Sequence, residues 1–518
     1  MSVLIPLVLA PVISAHHRAF AQPPAAKSLT WALSSDVETF DWNLTTYANS
    51  QMITANTMDG LFEADRQGGV RPRLAASTTL SSDRLTLIVK LKPGVKWSDA
   101  TPLKAAHFVD SWKRLLDPLL KSPYAGLLAD VAGAVEYQAG RNPDFSTVGL
   151  KALDDATIEL HLTRPCPFLT SILALPATYP VRADLIARHG RAWTDPKNLV
   201  TLGPFSLASY EKDSLIVLRR NPSYTGPAPR LDEIRLPIVD SDETVRKLFA
   251  DGKLDVFEPS RLEETQRALP RARSLSFPIL RTQYLSFELT RFPTNEKKVR
   301  EAIGRAIDRS KISSATRAPV QPALSLVPEQ LLPEAAEVGL KFDPAAARRA
   351  LADAGVNPAL LPPLELLVLD TDEAARIGAF IQEQLSRNLG LKVTVRPTRK
   401  FAFLQTLSTH SHGAVLAGWG ADYADAHSFV SAFHSKIGFD DGTWRNERYD
   451  RLVEQALGAK DERQRRASYR SALEILLVED VRLVPLYRSS VALLYQPRVR
   501  GLVSRPFGAV SFRELDVD

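Results

Sequence analysis

"LELLVLDTDEAARIGAFIQEQLSRNLGLKVTVRP", from Leu364 to Pro397, changes its apolar period twice within one short unit. Apolar residues crowd the first stretch, as they do in a buried strand. After a cap near Asp370–Asp372, Ile377, Ile381, Leu385 and Leu389 recur four apart, which places them on one helical face. Gly390 closes the helix, and Leu391, Val393 and Val395 alternate as a second strand does. Strand, helix and strand in this order form a crossover, and crossovers join parallel strands. An α/β fold is the expectation.

Working outward, strand and helix signals alternate along most of the chain. "LTLIVKLKPGVKW" (Leu85–Trp97) reads as a strand ending in a Pro-Gly turn, and "LKAAHFVDSWKRLLDP" (Leu103–Pro118) as a helix stopped by Pro118. "DDATIELHLTRP" (Asp154–Pro165) sets Ile158, Leu160 and Leu162 on one strand face. In "FDPAAARRALADAGV" (Phe342–Val356), Asp343 is the N-cap, Pro344 the first helical residue and Gly355 the stop. Val299, Ala302, Ile303, Ala306 and Ile307 share a helical face in "KKVREAIGRAID". No short repeat and no sharp linker is visible.

The length of 518 residues predicts two to four domains, and 45% hydrophobic with 24% charged residues is an ordinary soluble composition. The net charge of +6 comes without a Lys/Arg stripe interleaved with aromatics, so nucleic acid is not an expected partner. Near the N-terminus, "VLIPLVLAPVI" is too short to span a bilayer, and Ala19-Phe20-Ala21 fits signal cleavage, although a basic start is missing. Residues 1–21 are therefore expected to be a signal peptide. Cys166 is the single cysteine, so no disulfide forms within the chain and no cysteine follows the cleavage point to carry a lipid. The expectation is a free periplasmic protein stabilised by its core alone.

Catalytic signatures do not emerge. There is no G-x-S-x-G elbow, HExxH or Walker loop. Cys166, between two prolines in "RPCPF", reads as a small apolar residue rather than a nucleophile. His410 and His412 could share a metal but have no third ligand nearby in sequence, His16-His17 falls in the leader, and the pairs Asp154-Asp155 and Asp440-Asp441 read as turn caps. No catalytic residue, metal or cofactor is expected, and the chain is not expected to be an enzyme.

"GWGADYADAHSF" (Gly418–Phe429) is different. A strand through "AVLAGWG" would end near Gly420 and leave Asp422 in the loop beyond its carboxyl end, where α/β sheets bind ligands. A carboxylate beside Trp419 and Tyr423 is costly to desolvate without a cation, and a free α-ammonium would supply one. The glycines would let a ligand backbone approach. Pairing of Asp422 with a protein arginine, or capping of a helix near Ala426, accounts for the carboxylate equally well on spacing alone.

Four stretches, in this order and spacing, carry a family likeness: "VKWSDATPLKAAHFVDSWKRLLDP", "SPYAGLL", "NLVTLGPFSLASYEKDSLIVLRRNPSY" and "GWGADYADAHSF". From about Leu29 onward the chain resembles the extracytoplasmic solute-binding proteins of peptide ABC transporters, the oligopeptide-binding members above all. The resemblance implies a bilobal, hinged periplasmic-binding-protein fold with an additional third domain. Domain I would comprise 28–58, 184–283 and 490–518, domain II 59–183, and domain III 284–489. It implies that Asp422 holds a peptide's N-terminal ammonium and that Gly418-Trp419-Gly420 pairs with the peptide main chain. Thr46-Tyr47-Ala48 would supply a second strand, and Tyr124 and Tyr284 would line the cleft.

This sequence departs from the family pattern at several positions. Ala100 replaces the glycine of a "WSDG" signature, a change that a turn absorbs. Gly413 replaces an acidic residue, Leu416 an arginine able to meet a peptide carboxylate, and Leu175 and Ala375 two histidines. The N-terminal anchor is kept, whereas partners for a peptide C-terminus are missing. The implied function is delivery of short peptides, without catalysis, by a monomer to an inner-membrane ABC permease. Rival readings are the same fold holding a murein peptide, opine, nickel chelate, haem or oligosaccharide, a chaperone-like holder of unfolded chains, and a secreted hydrolase.

Overall fold

The computed structural model describes residues 26–65, 69–316, 320–436, 443–459, 461–503 and 510–518. The expected signal peptide, His16-His17 and the Asp440-Asp441 pair lie outside the described residues. Among those described, no helix is long and apolar enough to cross a membrane.

The crossover unit forms as its periodicity predicts. The strands Leu364–Leu369 and Val393–Thr398 pair in parallel around the helix Asp372–Leu389. Thr371 caps that helix by accepting from the Ala374 N–H, and Gly390 ends it in the left-handed region at φ 70°. That conformation suits glycine because it has no Cβ to clash. The helices Ala105–Leu116, Lys297–Ala306 and Pro344–Asp353 also form, the last capped by Asp343.

Three sheets organise the molecule. One orders Ser28–Thr30, Glu233–Pro237, Leu215–Arg220 and Phe205–Glu211. A second, antiparallel sheet orders Ala75–Leu80, Thr86–Leu91, Thr157–His161 and Leu150–Ala152. In the third, Arg273–Phe287 and Leu483–Tyr495 lie side by side, followed by Ala414–Gly420 and the crossover pair. The sheets contribute to distinct apolar clusters. Leu29, Phe205, Ile234 and Phe512 belong to the first. Trp97, Phe108, Trp112 and Ile158 belong to the second. The third sheet packs Ile303, Leu366 and Ile377 on one side, with Phe429, Tyr449 and Tyr469 in a further cluster.

The two long strands connect cores. Phe277 and Leu493 sit in the first cluster, whereas Leu285, Phe287 and Val484 sit in the third sheet's cluster. Their ladder slips between Pro278 and Thr282. Pro278 has no N–H to give the ladder, and a slipped register weakens pairing locally. Two strands with a soft point between two cores are suited to act as a hinge.

One expectation needs correction. Ala100 adopts φ 67°, in the left-handed region, within a turn whose N–H at Ala100 donates to Trp97 O at 2.9 Å. A Cβ there is strained, so this replacement is not neutral. Changing Ala100→Gly should raise stability by about 1 kcal/mol, the strain relieved less the greater freedom of glycine in the unfolded chain. Thermal or urea unfolding that shows no gain, or a loss, contradicts this.

Candidate functional site

The strand Ala414–Gly420 is paired along its whole length on one edge, from Phe287↔Ala414 to Arg281↔Gly420. On its other edge it meets Leu364–Leu369 only at Ala414 and Val415. From 416 to 420 that edge carries no strand among the described residues. Burial changes at the same place, from buried Ala414, Val415 and Leu416 to half-buried 417–420. An open edge offers a row of backbone donors and acceptors to an extended ligand.

The chain leaves this strand through a turn tied back onto itself. Ala421 N–H donates to Leu280 O at 2.7 Å, the Trp419 indole donates to Ser428 O at 2.7 Å, and Asp422 N–H donates to Ser428 Oγ at 2.8 Å. Asp425 takes the arginine pairing that spacing alone left open for Asp422, and its carboxylate also closes the local turn. It accepts from His427 N–H at 2.8 Å, at the start of the short helix His427–Val430. It also pairs with Arg465 of the helix Glu462–Glu474, their side chains only 13% and 8% exposed. Asp422 keeps its carboxylate open to solvent and without an ion pair among the described residues. The surrounding protein thins its hydration and raises its pKa above the ordinary aspartate value.

Across from this loop stands Tyr124. Its hydroxyl donates to Thr45 O at 2.9 Å and accepts from Gln51 Nε2 at 2.7 Å. Burial raises the phenol's pKa, and the charges of Asp422 and Glu38 raise it further. Asp422, Tyr124 and the Thr45–Tyr47 segment are thus brought within electrostatic reach from three distant parts of the chain. Glu38 was not singled out from sequence. It lies in a segment without periodicity, and its carboxylate accepts from Thr46 N–H at 3.2 Å.

Two expectations are corrected here. Thr46 and Tyr47 are exposed and Tyr47 is extended, but Ala48 opens the helix Ala48–Thr57, so the three do not form a strand. Tyr284, expected to line the cleft, is 7% exposed and packs edge-on against Phe433 at 6.2 Å, within a buried cluster against which Trp419 also packs. Its ring could not be placed from sequence, because strand alternation does not say which face looks onto a helix layer and which onto a cleft.

Phe168 was also missed. Its ring stacks on Tyr423 at 4.7 Å and on His427 at 4.5 Å, while the Tyr423 hydroxyl meets His427 Nδ1 at 2.7 Å. Burial pushes the His427 pKa down to about 3, so the ring is neutral in this stack. The second sheet's cluster therefore reaches Tyr423, the neighbour of Asp422. Elsewhere, burial pushes the Cys166 thiol pKa up, away from nucleophile chemistry. His410 Nδ1 meets Glu288 at 2.8 Å, and the described residues hold no group of three metal-ligand side chains.

A sequence model of bacterial extracellular solute-binding proteins, family 5, matches residues 69–441. The chain belongs to that family. It is 29% identical over 481 residues to the probable deoxycholate-binding periplasmic protein YgiS of Escherichia coli K12, covering 90% of this chain and 89% of the relative. It is 28% identical over 485 residues to the periplasmic oligopeptide-binding protein OppA of the same organism, covering 91% and 89%. The substrate-binding domain of an oligopeptide ABC transporter from Bacillus anthracis has the same fold, with a TM-score of 0.75, 27% identity, and 95% and 99% of the two chains covered. The α/β bilobal architecture with a third domain is thus the family's.

The lone Asp422 has a consequence for stability. Its pKa is raised on folding, so the unfolded chain holds fewer protons in the window above pH ~4, and stability falls as pH rises through it. Asp422→Asn should therefore raise the melting temperature of ligand-free protein at pH 7, with the gain shrinking as pH drops below that window. An unchanged or lower melting temperature at pH 7 would show that the carboxylate is satisfied by the fold.

Proposed function

We propose that this solute-binding protein takes short peptides and performs no catalysis. Asp422, without an ion pair among the described residues and at the end of an open strand edge, is the observation that carries this reading. A peptide would add its main chain to residues 416–420 as an extra strand and set its N-terminal ammonium against Asp422. Gly418, Trp419 and Gly420 would form the pairing edge, and Tyr124 with Thr46, Tyr47 and Ala48 the opposite wall. The names of OppA and of the Bacillus anthracis protein support this ligand class. Periplasmic localisation after signal cleavage, a monomeric state and delivery to an inner-membrane ABC permease complete the proposal.

We take the lobes as 28–58 with 184–283 and 490–518, then 59–183, then 284–489. The distinct apolar clusters of the first and third sheets and the slipped ladder near Pro278 support a hinge between those two. A ligand that bridges the lobes would favour the closed form, which the permease would select.

A second reading keeps the fold and changes the solute. Leu416 and Ala375 stand where the family pattern has polar side chains, and one relative is named for deoxycholate. Native mass spectrometry of the purified mature protein separates the readings. A ladder of masses that fragments as mixed short peptides supports the first, whereas one sharp non-peptide mass overturns it.

The anchor is testable by calorimetry. Asp422→Asn should weaken peptides with a free N-terminus by about tenfold or more, as expected for loss of a charge-assisted hydrogen bond, and should spare N-acetylated ones. Equal losses for both would remove Asp422 from this role. In the native protein, affinity for free-amine peptides should fall on acidification, starting at a higher pH than an ordinary aspartate would give, because the Asp422 pKa is raised. The acetylated peptide should show no such dependence.

A further inference from the structure

Gly418 and Gly420 expose bare backbone on one face of the open-edged strand, and their ladder partners there are Gln283 and Arg281. Directly opposed residues share a face of the sheet. A Cβ on Gly418 would lie 2.4 Å from Gln283 Oε1 and 2.8 Å from its Cδ, so the Gln283 amide occupies the space a side chain would take. At Gly420, Cβ and Cγ of Arg281 both pass 3.9 Å from the position of a Cβ. The Gln283 side chain thus lies over Gly418, and the Arg281 side chain begins beside Gly420, where no Cβ blocks its path.

The Gln283 amide touches one more group, the Ser489 hydroxyl at 3.3 Å. Arg281 is exposed and makes no ion pair among the described residues. The titratable groups on this face are Tyr487, which lies within the field of Arg281, and Glu373, whose carboxylate is engaged by the Tyr487 hydroxyl at 2.9 Å. An added strand would lie about 10 Å from the Arg281 backbone, two strand spacings away. An extended arginine covers most of that distance, and no side chain at Gly420 stands between.

We propose that Arg281, with the Gln283 amide beside it, receives a carboxylate of the ligand by reaching over Gly420 and Gly418. The proposal rests on the open-edge reading of the site and gives it a charge pattern. Asp422 lies two and four residues beyond these glycines, so cation and carboxylate would be separated by about 7–14 Å of extended chain. That span fits a di- or tripeptide with a free C-terminus, or a longer peptide with an acidic residue near its start. It supplies a carboxylate partner in a chain that carries Leu416 on the same strand.

Calorimetry on the native protein and Arg281→Gln would use tri-alanine, its C-terminal amide, the amide of Ala-Glu-Ala, and deoxycholate. The native protein should bind tri-alanine or Ala-Glu-Ala amide about tenfold more tightly than tri-alanine amide. Arg281→Gln should erase that preference and leave the tri-alanine amide affinity unchanged, which also shows that the variant is folded. Arg281→Lys should keep part of the preference. A preference that survives in Arg281→Gln, or its absence in the native protein, overturns the proposal. If no peptide binds but deoxycholate does, and Arg281→Gln loses it, the peptide reading fails while the carboxylate subsite stands. If none of the four binds, both fall.

Discussion

The buried ion pair between Asp425 and Arg465 is the interaction on which the character of the cleft depends. Asp425 takes Arg465 and accepts from the His427 N–H at the start of the next helix, and Asp422 makes no ion pair among the described residues. A carboxylate left unpaired where protein atoms thin its hydration is a cost to the ligand-free fold. It persists because the turn is held by hydrogen bonds that involve its backbone and not its charge. The energetic deficit at Asp422 is what a cationic group would fill.

The same loop couples the cleft to the rest of the molecule. Tyr423, one residue on, is clasped by Phe168 from the second sheet's lobe, and that stack rests on a neutral His427. The two long strands run side by side from the first sheet's cluster into the third sheet, and one of them, Arg273–Phe287, pairs along the strand that ends at Gly420. The slip near Pro278 lies between the two clusters that these strands join, whereas the Phe168–Tyr423 stack ties the Asp422 loop to the second sheet's cluster. Packed cores move as units, so change concentrates at such ladder breaks.

Much of the scaffold was legible in the sequence because its signals are local. The period change across Leu364–Pro397, the Asp343 cap and the Gly390 stop each reflect a short-range physical requirement, and each appears where the chain calls for it. Asp422 was legible as a candidate, but its freedom was not. Whether it or Asp425 meets an arginine depends on a helix forty residues away in sequence. Ala100 shows the reverse limit: a familiar turn suggested tolerance, and only the dihedral reveals the strain. Tyr284, Glu38 and Phe168 depend on which elements pack together, and neither periodicity nor local composition carries that.

The sequence by itself determined an α/β chain with its own apolar cores, a strand ending in glycines, and an aspartate just beyond. These follow from side-chain periodicity, capping chemistry and the steric freedom of glycine, all of which act within a few residues. Tertiary structure alone decided that the strand's far edge carries no partner after Val415 among the described residues, that Asp425 pairs with Arg465, and that Gln283 lies over Gly418 with Arg281 beside Gly420. Those outcomes require strands and helices distant in sequence to meet, and the physical reason is that pairing and desolvation belong to the assembled sheet rather than to any segment of it.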